Sequence, residues 1–213
     1  MKLQIKILES DAKIANTINK AILPQLNKTI SKIFRTMEPF IQSTVMNGIM
    51  DQPEYNSLIS GELRGEFGIP DAGSRVSKIL ETIQSSIYTE YQKPFINGSK
   101  IKGGFFIGIV RNDFRDILSL PEAVLITENN SSLEWLKWLL LEGDKTIITG
   151  FEFKIGNNSR SRTGQGIMSQ EISGSWRVPP AYAGQIENNW ITRAIDGVST
   201  EIENKFVRLL QKM

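Results

Sequence analysis

Few side chains in this sequence are of types and spacings that could do chemistry. Ser10 and Lys13 match the S-x-x-K pattern, in which a nearby amine activates a serine hydroxyl for acyl transfer. No S-D-N or K-T-G partner follows, and Ser10 or Asp11, just before an apolar periodic run, reads as a helix N-cap. Asp113, Asp116 and Glu122 offer carboxylates of the kind that hydrolyse glycosides or hold Mg²⁺. They sit in an ordinary charged connector, RNDFRDILSLPE, and read as solvated surface. The segment NNSRSRTGQG at 157–166 carries Arg160, Arg162 and Thr163 among flexible glycines, with Arg177 close behind. It lacks the GxxxxGK[ST] order of a phosphate loop, so it reads as a contact for a partner's carboxylates or for DNA phosphate. Trp135, Trp138, Trp176 and Trp190 could stack on bases, but the first two share a helical face with Leu139 and read as core. Trp176 and Trp190 flank Pro179 and Pro180 and read either as a clamp on that segment or as interface anchors.

Composition removes most other chemistry. The chain has 213 residues with neither His nor Cys. This excludes Ser-His-Asp triads, Cys–His pairs, zinc fingers and disulfides. No catalytic, cofactor-binding or metal-ligating residue is assigned, and the protein is not expected to be an enzyme. With 25 basic and 23 acidic side chains the overall charge is only +2, too even for a general nucleic-acid coat. A chain of this length can bury about 70% of its unfolded surface without a staple. The start MKLQIKILESDAK lacks the apolar stretch of a secretory signal. WLKWLLL at 135–141 is well short of the roughly 20 residues that span a bilayer, so neither secretion nor a membrane partner is expected.

The elements that must position these residues follow from periodicity. Alternation at Leu3, Ile5 and Ile7 predicts a short strand. Ile14, Ile18, Ile22, Leu26, Ile30 and Phe34 recur every four residues, a spacing that drifts around a helix. With Pro24 and Pro39 as breaks, residues 11–50 are expected as two or three helical pieces. A helix capped by Asp51 should run from Pro53 to about Phe67. Another should follow Asp71, burying Val76, Leu80, Ile83, Ile87 and Tyr91. Beyond a turn at Pro94, Asn97 and Gly98, strands are expected at 102–110, 122–127 and 145–155. A short helix at 131–143 should be capped by Ser131 or Ser132 and stopped by Gly143. A polar loop is expected over 156–174, and a terminal helix from about Asn188 to Lys212. The fold class is α+β, with a helix-rich N-terminal half, a small mainly antiparallel sheet and a long C-terminal helix. The expected division is a helical part at 1–93 and an α+β part at 94–213, with one continuous domain as the alternative. Fifteen or so polar residues recover little of the roughly 1–2 kcal/mol per residue that ordering costs. The loop is therefore expected to be mobile, or ordered by another chain.

Three stretches carry a resemblance: SWRVPPAYAGQIENNWITRAI at 175–195, SGELRGEFGIPDA at 60–72, and 133–168 with LEWLKWLLLEGDKTIITGFEFKIG and SRSRTGQGIM. Together they resemble the neck and tail-completion proteins of tailed bacteriophages, the minor tail protein Z-like, virion-morphogenesis group. The resemblance implies a virion structural protein at the head–tail junction, made in the host cytoplasm, that completes or terminates the tail as a subunit of a homo-oligomeric ring. Its implied partners are further copies of itself, other neck, connector or tail proteins, and DNA in the channel. The segment from Ser159 to Met168 and the run of Trp176, Arg177, Pro179 and Pro180 would be contact segments. Asn189, Trp190 and Arg193 would sit at the start of the terminal helix. The alternative is a DNA-binding accessory protein using its basic loop on phosphate.

Overall fold

The computed structural model describes residues 9–109, 114–127 and 130–212; the strand expected at 3–7 lies outside them. The fold is α+β: helices dominate the N-terminal half, small antiparallel ribbons follow, and a long helix ends the chain. The helices are α1 (Asp11–Met50), α2 (Pro53–Ser60), α3 (Glu62–Phe67), α4 (Ala72–Ser86), α5 (Arg115–Leu118), α6 (Trp135–Leu140) and α7 (Trp190–Gln211). The strands are β1 (Ile87–Asn97), β2 (Lys100–Ile109), β3 (Leu125–Ile126), β4 (Ser132–Leu133), β5 (Thr146–Ile155) and β6 (Gly166–Arg177). They pair as three separate two-stranded ribbons: β1 with β2, β3 with β4, and β5 with β6.

Helix α1 departs from expectation: it is one helix of 40 residues that runs through both Pro24 and Pro39. A proline inside a helix costs about 3 kcal/mol in lost bonding and steric conflict. Its apolar positions explain why the helix continues. Beyond Ile30 the helix buries Ile33, Met37, Ile41, Val45 and Ile49, each four residues after the last, an apolar face that drifts slowly around the helix. Ser10 caps the start, its hydroxyl accepting the Lys13 N–H at 3.4 Å.

Other boundaries shift for local reasons. The helix expected over 53–67 divides at Gly61, whose extended φ of −103° separates α2 from α3. The residue before α2 is Gln52 rather than Asp51, with Pro53 at the first helical position. Ile87 and Tyr91 belong to β1 rather than to α4, while Val76, Leu80 and Ile83 face the core as expected. Of 122–127 only Leu125 and Ile126 pair as strand. Ser132 lies in β4, so Glu134 precedes α6. The long polar stretch is the largest correction. Residues 166–177 form β6, leaving a loop of only 156–165. A ribbon of two strands exposes both faces, so a polar strand such as β6 reads as loop in sequence.

The chain forms two compact units that interleave along the sequence. The first comprises Met1–Ile41, Tyr88–Gly108 and Ile202–Met213. In it the β1–β2 hairpin runs along α1. Thr89 donates to Glu38, and the Phe34 and Tyr91 rings meet at 5.6 Å. Further along, the amide of Asn27 donates to the Pro94 carbonyl and that of Asn19 to the Ser99 carbonyl. From Glu38 back to Asn19 the helix advances about 28 Å at 1.5 Å per residue. From Thr89 to Ser99 a strand advances about 33 Å, so one element spans the other. Gly98, at a φ of +63°, turns the hairpin.

The second unit comprises Gln42–Ile87 and Ile109–Glu201, and Phe67 sits at the middle of its core. The Phe67 ring lies 6.1 Å from that of Trp135, 6.2 Å from Trp138, and 5.5 Å edge-on from Trp176. It thereby joins the end of α3 to α6 and to the end of β6. Trp135 also donates its indole N–H to the Glu122 carbonyl at 3.0 Å. Gly184 allows the 179–189 turn to lie on α6, because a Cβ there would run into the Leu139 carbonyl. Phe67→Ala should lower unfolding free energy by about 3–5 kcal/mol, since three indole rings would border the cavity. Urea unfolding of the two proteins checks this, and a loss under 1 kcal/mol would place the core elsewhere.

Candidate functional site

The candidate site grows from the short α3. Gly68 closes this helix in the left-handed conformation, φ +63°, donating its N–H to the Arg64 and Gly65 carbonyls. Without a side chain, Gly68 lets the Arg162 guanidinium lie across it: a Cβ there would stand 3.1 Å from Arg162 Nη2. Gly65 admits Gln165 in the same way, its Cβ position lying 3.1 Å from that of Gln165. The Gln165 amide donates to the Ser60 carbonyl at 3.1 Å, fastening the loop to the end of α2. Inside the loop the Arg160 N–H donates to the Asn158 side chain, and the Gln165 N–H donates to the Thr163 hydroxyl at 3.3 Å. Contacts within the subunit thus hold the loop at its foot and within its own turn. A loop of 156–165 is shorter than expected, and the end of α2 supplies it with one hydrogen-bond acceptor.

Between α3, the loop and the strands is an open cleft of about 630 Å³. Glu66 and Gly68 form one side, Arg160 and Arg162 another, and Phe153 and Met168 an apolar wall. Both arginines are exposed, and among the described residues neither guanidinium meets a carboxylate. Two such groups, planar and always charged, suit a carboxylate or phosphate presented from outside. The two serines at the cleft are otherwise engaged: Ser161 Oγ accepts the Gly166 N–H, and Ser169 Oγ donates to the Glu152 carbonyl.

Glu66 is the titratable group of the cleft. Burial pushes its carboxyl up to about 7; the Trp176 indole N–H, donating at 3.2 Å, pulls it partly back, and the neighbouring Glu62 charge raises it again. It is the one functional candidate that sequence reasoning missed. The available signal was a glutamate set between Gly65 and Phe67, both buried.

The remaining sequence candidates are dispersed. Trp176 is buried in the Phe67 cluster, so its role is to hold Glu66. Arg177 is exposed at the end of β6, opposite Thr146. Pro179 accepts from the Tyr182 and Ala183 N–H groups and is half-buried, while Pro180 is exposed. Asn189 and Trp190 are fully buried and so are not surface contacts of the folded subunit. Asn189 caps α7, its Oδ1 accepting from Ile191 and Thr192 and its amide donating to the Leu140, Gln185 and Ile186 carbonyls. Arg193 is paired with the buried Glu54, whose carboxyl is raised by burial against the opposing pull of its backbone bond and of Arg193. Together these residues anchor α7 to α2 and α6.

The enzymatic candidates stay apart. Lys13 is ion-paired with Glu9 at 2.8 Å, while Ser10 serves the helix start. Asp116 lies on α5, and Glu122 lies in a single 3₁₀ turn whose carbonyls bind Arg75 and Trp135. Asp113 is outside the described residues. Among the described residues no three carboxylates converge as a metal site would require. Comparison of the chain with protein-family models, with curated proteins and with solved structures finds no match.

The sign of the Glu66 effect is definite. Its folded pKa lies above the ordinary glutamate value of 4.5, so its contribution is fully present below that value and is lost as pH rises through about 7. Glu66→Gln keeps an acceptor for Trp176 without the buried charge. The variant should match the parent near pH 4.5 and unfold at a higher temperature than the parent at about pH 8. Melting curves across this window check it, and parallel pH profiles would show that Glu66 is not the group responsible.

Proposed function

We propose that this chain is a non-enzymatic structural subunit of a tailed-phage virion, placed at the head–tail junction, where it completes or terminates the tail as one member of a homo-oligomeric ring. The observation that carries the reading is the β5–β6 ribbon with its adjoining loop. The two strands pair only with each other, so both outer edges remain open among the described residues. Such ribbons are marginal alone, and open edges are templates for another chain. Between Thr149 and Phe151 the register shifts, and β6 runs three residues longer than β5 across that step. Ile172, at the bulge, is 97% exposed, and Ile155 at the strand end is 80% exposed. The adjoining loop carries Arg160 and Arg162, neither of which meets a carboxylate among the described residues. An open ribbon, exposed isoleucines and free guanidinium groups are the makings of a contact with a neighbour's carboxylates. The resemblance over 60–72, 133–168 and 175–195 takes in β5, the loop and both ends of β6, and supplies the phage context.

In a closed ring each interface joins two different surfaces of the same subunit. Reversing both charges with Arg160→Glu and Arg162→Glu should abolish the largest species in a concentration series of native mass while leaving the melting temperature unchanged, because both side chains are exposed. Closed rings of the parent protein in electron micrographs, absent from the variant, are the expected result. A parent that stays monomeric at every concentration, or a variant that assembles equally well, overturns the interface.

A further inference from the structure

The near-neutral chain divides into units of opposite charge. The first unit carries 13 Lys and Arg against 5 Asp and Glu, and the second carries 12 against 18. The overall +2 is therefore the remainder of about +8 and −6. We infer that the first unit is a docking surface for double-stranded DNA, bound through its phosphates without regard to sequence.

The placement of the cations carries the inference. At 100° per residue, Lys13, Lys20, Lys28, Lys32 and Arg35 fall within a sector of about 120° on α1. All five are exposed. The buried stripe of Ile30, Ile33, Met37 and Ile41 lies on the opposite side of the helix. From Lys13 to Arg35 the row is about 33 Å long, close to one turn of duplex, which presents a phosphate charge about every 1.7 Å along its axis. The β1–β2 hairpin of the same unit adds Lys93, Lys100 and Lys102, also exposed.

Ordinary solubility does not account for this arrangement. A solvated helical face commonly intersperses Glu and Lys at i,i+4. Here only Lys13 has such a partner, Glu9, among the described residues. The other acidic residue of the sector, Glu38, accepts the Thr89 hydroxyl. Lys20, Lys28, Lys32 and Arg35 have no carboxylate partner among the described residues. Like charges held together repel, and a polyanion relieves that repulsion by replacing counterions. The basic loop at 157–166, by contrast, belongs to the acidic unit. The proposed surface shares no residue with the β5–β6 contact, so the inference stands apart from the assembly reading.

The test is fluorescence anisotropy of the whole protein with a labelled duplex of arbitrary sequence, titrated over a series of salt concentrations, with native mass followed in parallel. The parent should bind at low salt, with affinity falling linearly in log–log form. Lys28→Glu with Lys32→Glu should weaken binding at least tenfold and reduce the salt slope by about 2, one unit for each phosphate contact removed. Lys93→Glu with Lys100→Glu, on the hairpin, should act in the same direction should the helix variant fail to fold. Arg160→Glu with Arg162→Glu should leave DNA affinity unchanged even where it removes rings, which separates this surface from the assembly contact. The inference is overturned by absence of binding at low salt, by equal affinity of the parent and both first-unit variants, or by binding to anionic lipid vesicles in place of DNA.

Discussion

The second unit depends on one buried ring. Phe67 ends α3 and meets indoles contributed by α6 and by the end of β6, so segments far apart in sequence converge on a single apolar group. Aromatic contacts of this kind add about 0.5–1.5 kcal/mol per pair beyond the area they bury. Their geometric effect matters more here. Trp176, held against Phe67, turns its indole N–H to Glu66 on the preceding residue of α3. The same packing that builds the core thus fixes the carboxyl that borders the cleft.

A second constraint is the short helix end at Gly68. A left-handed residue without a side chain leaves room for the Arg162 guanidinium, and Gly65 leaves room for Gln165. Two glycines in one turn thereby accept the whole arginine-bearing loop. The loop is held at its foot while its charged groups face outward. A loop held at its foot meets a partner with less entropy still to lose than one free along its whole length.

The long helices carry a different logic. α1 carries two internal prolines; its second half buries an apolar face, while its first half is tied to the β1–β2 hairpin by Asn19, Asn27 and Tyr91. α7 is fixed at its start by Asn189, whose side chain satisfies both the helix N–H groups and three carbonyls of neighbouring segments. A fully buried asparagine with this many partners is a positioning device, and Trp190 beside it is core. Residues that look like interface anchors in sequence are, in the fold, what keeps the terminal helix in place.

Local chemistry was legible from the sequence wherever neighbours along the chain decide it. The α+β class, the cap at Ser10, the apolar face of α4, the strand at β5 and the terminal helix all follow from period and composition, as does the absence of imidazole and thiol chemistry. Whatever depends on distant partners was not. Continuity of α1 through its prolines required the buried stripe beyond Ile30, and the strand nature of 166–177 required β5 as its partner. Glu66 gained its raised pKa only when folding buried it beside Trp176. The division into basic and acidic units is invisible in a linear count, because each unit is assembled from separated segments whose charges cancel along the chain. Hydrogen bonding within a helix is local and can be read from the residues that form it. Burial, pairing and charge segregation are properties of which segments meet, and only the tertiary structure decides that.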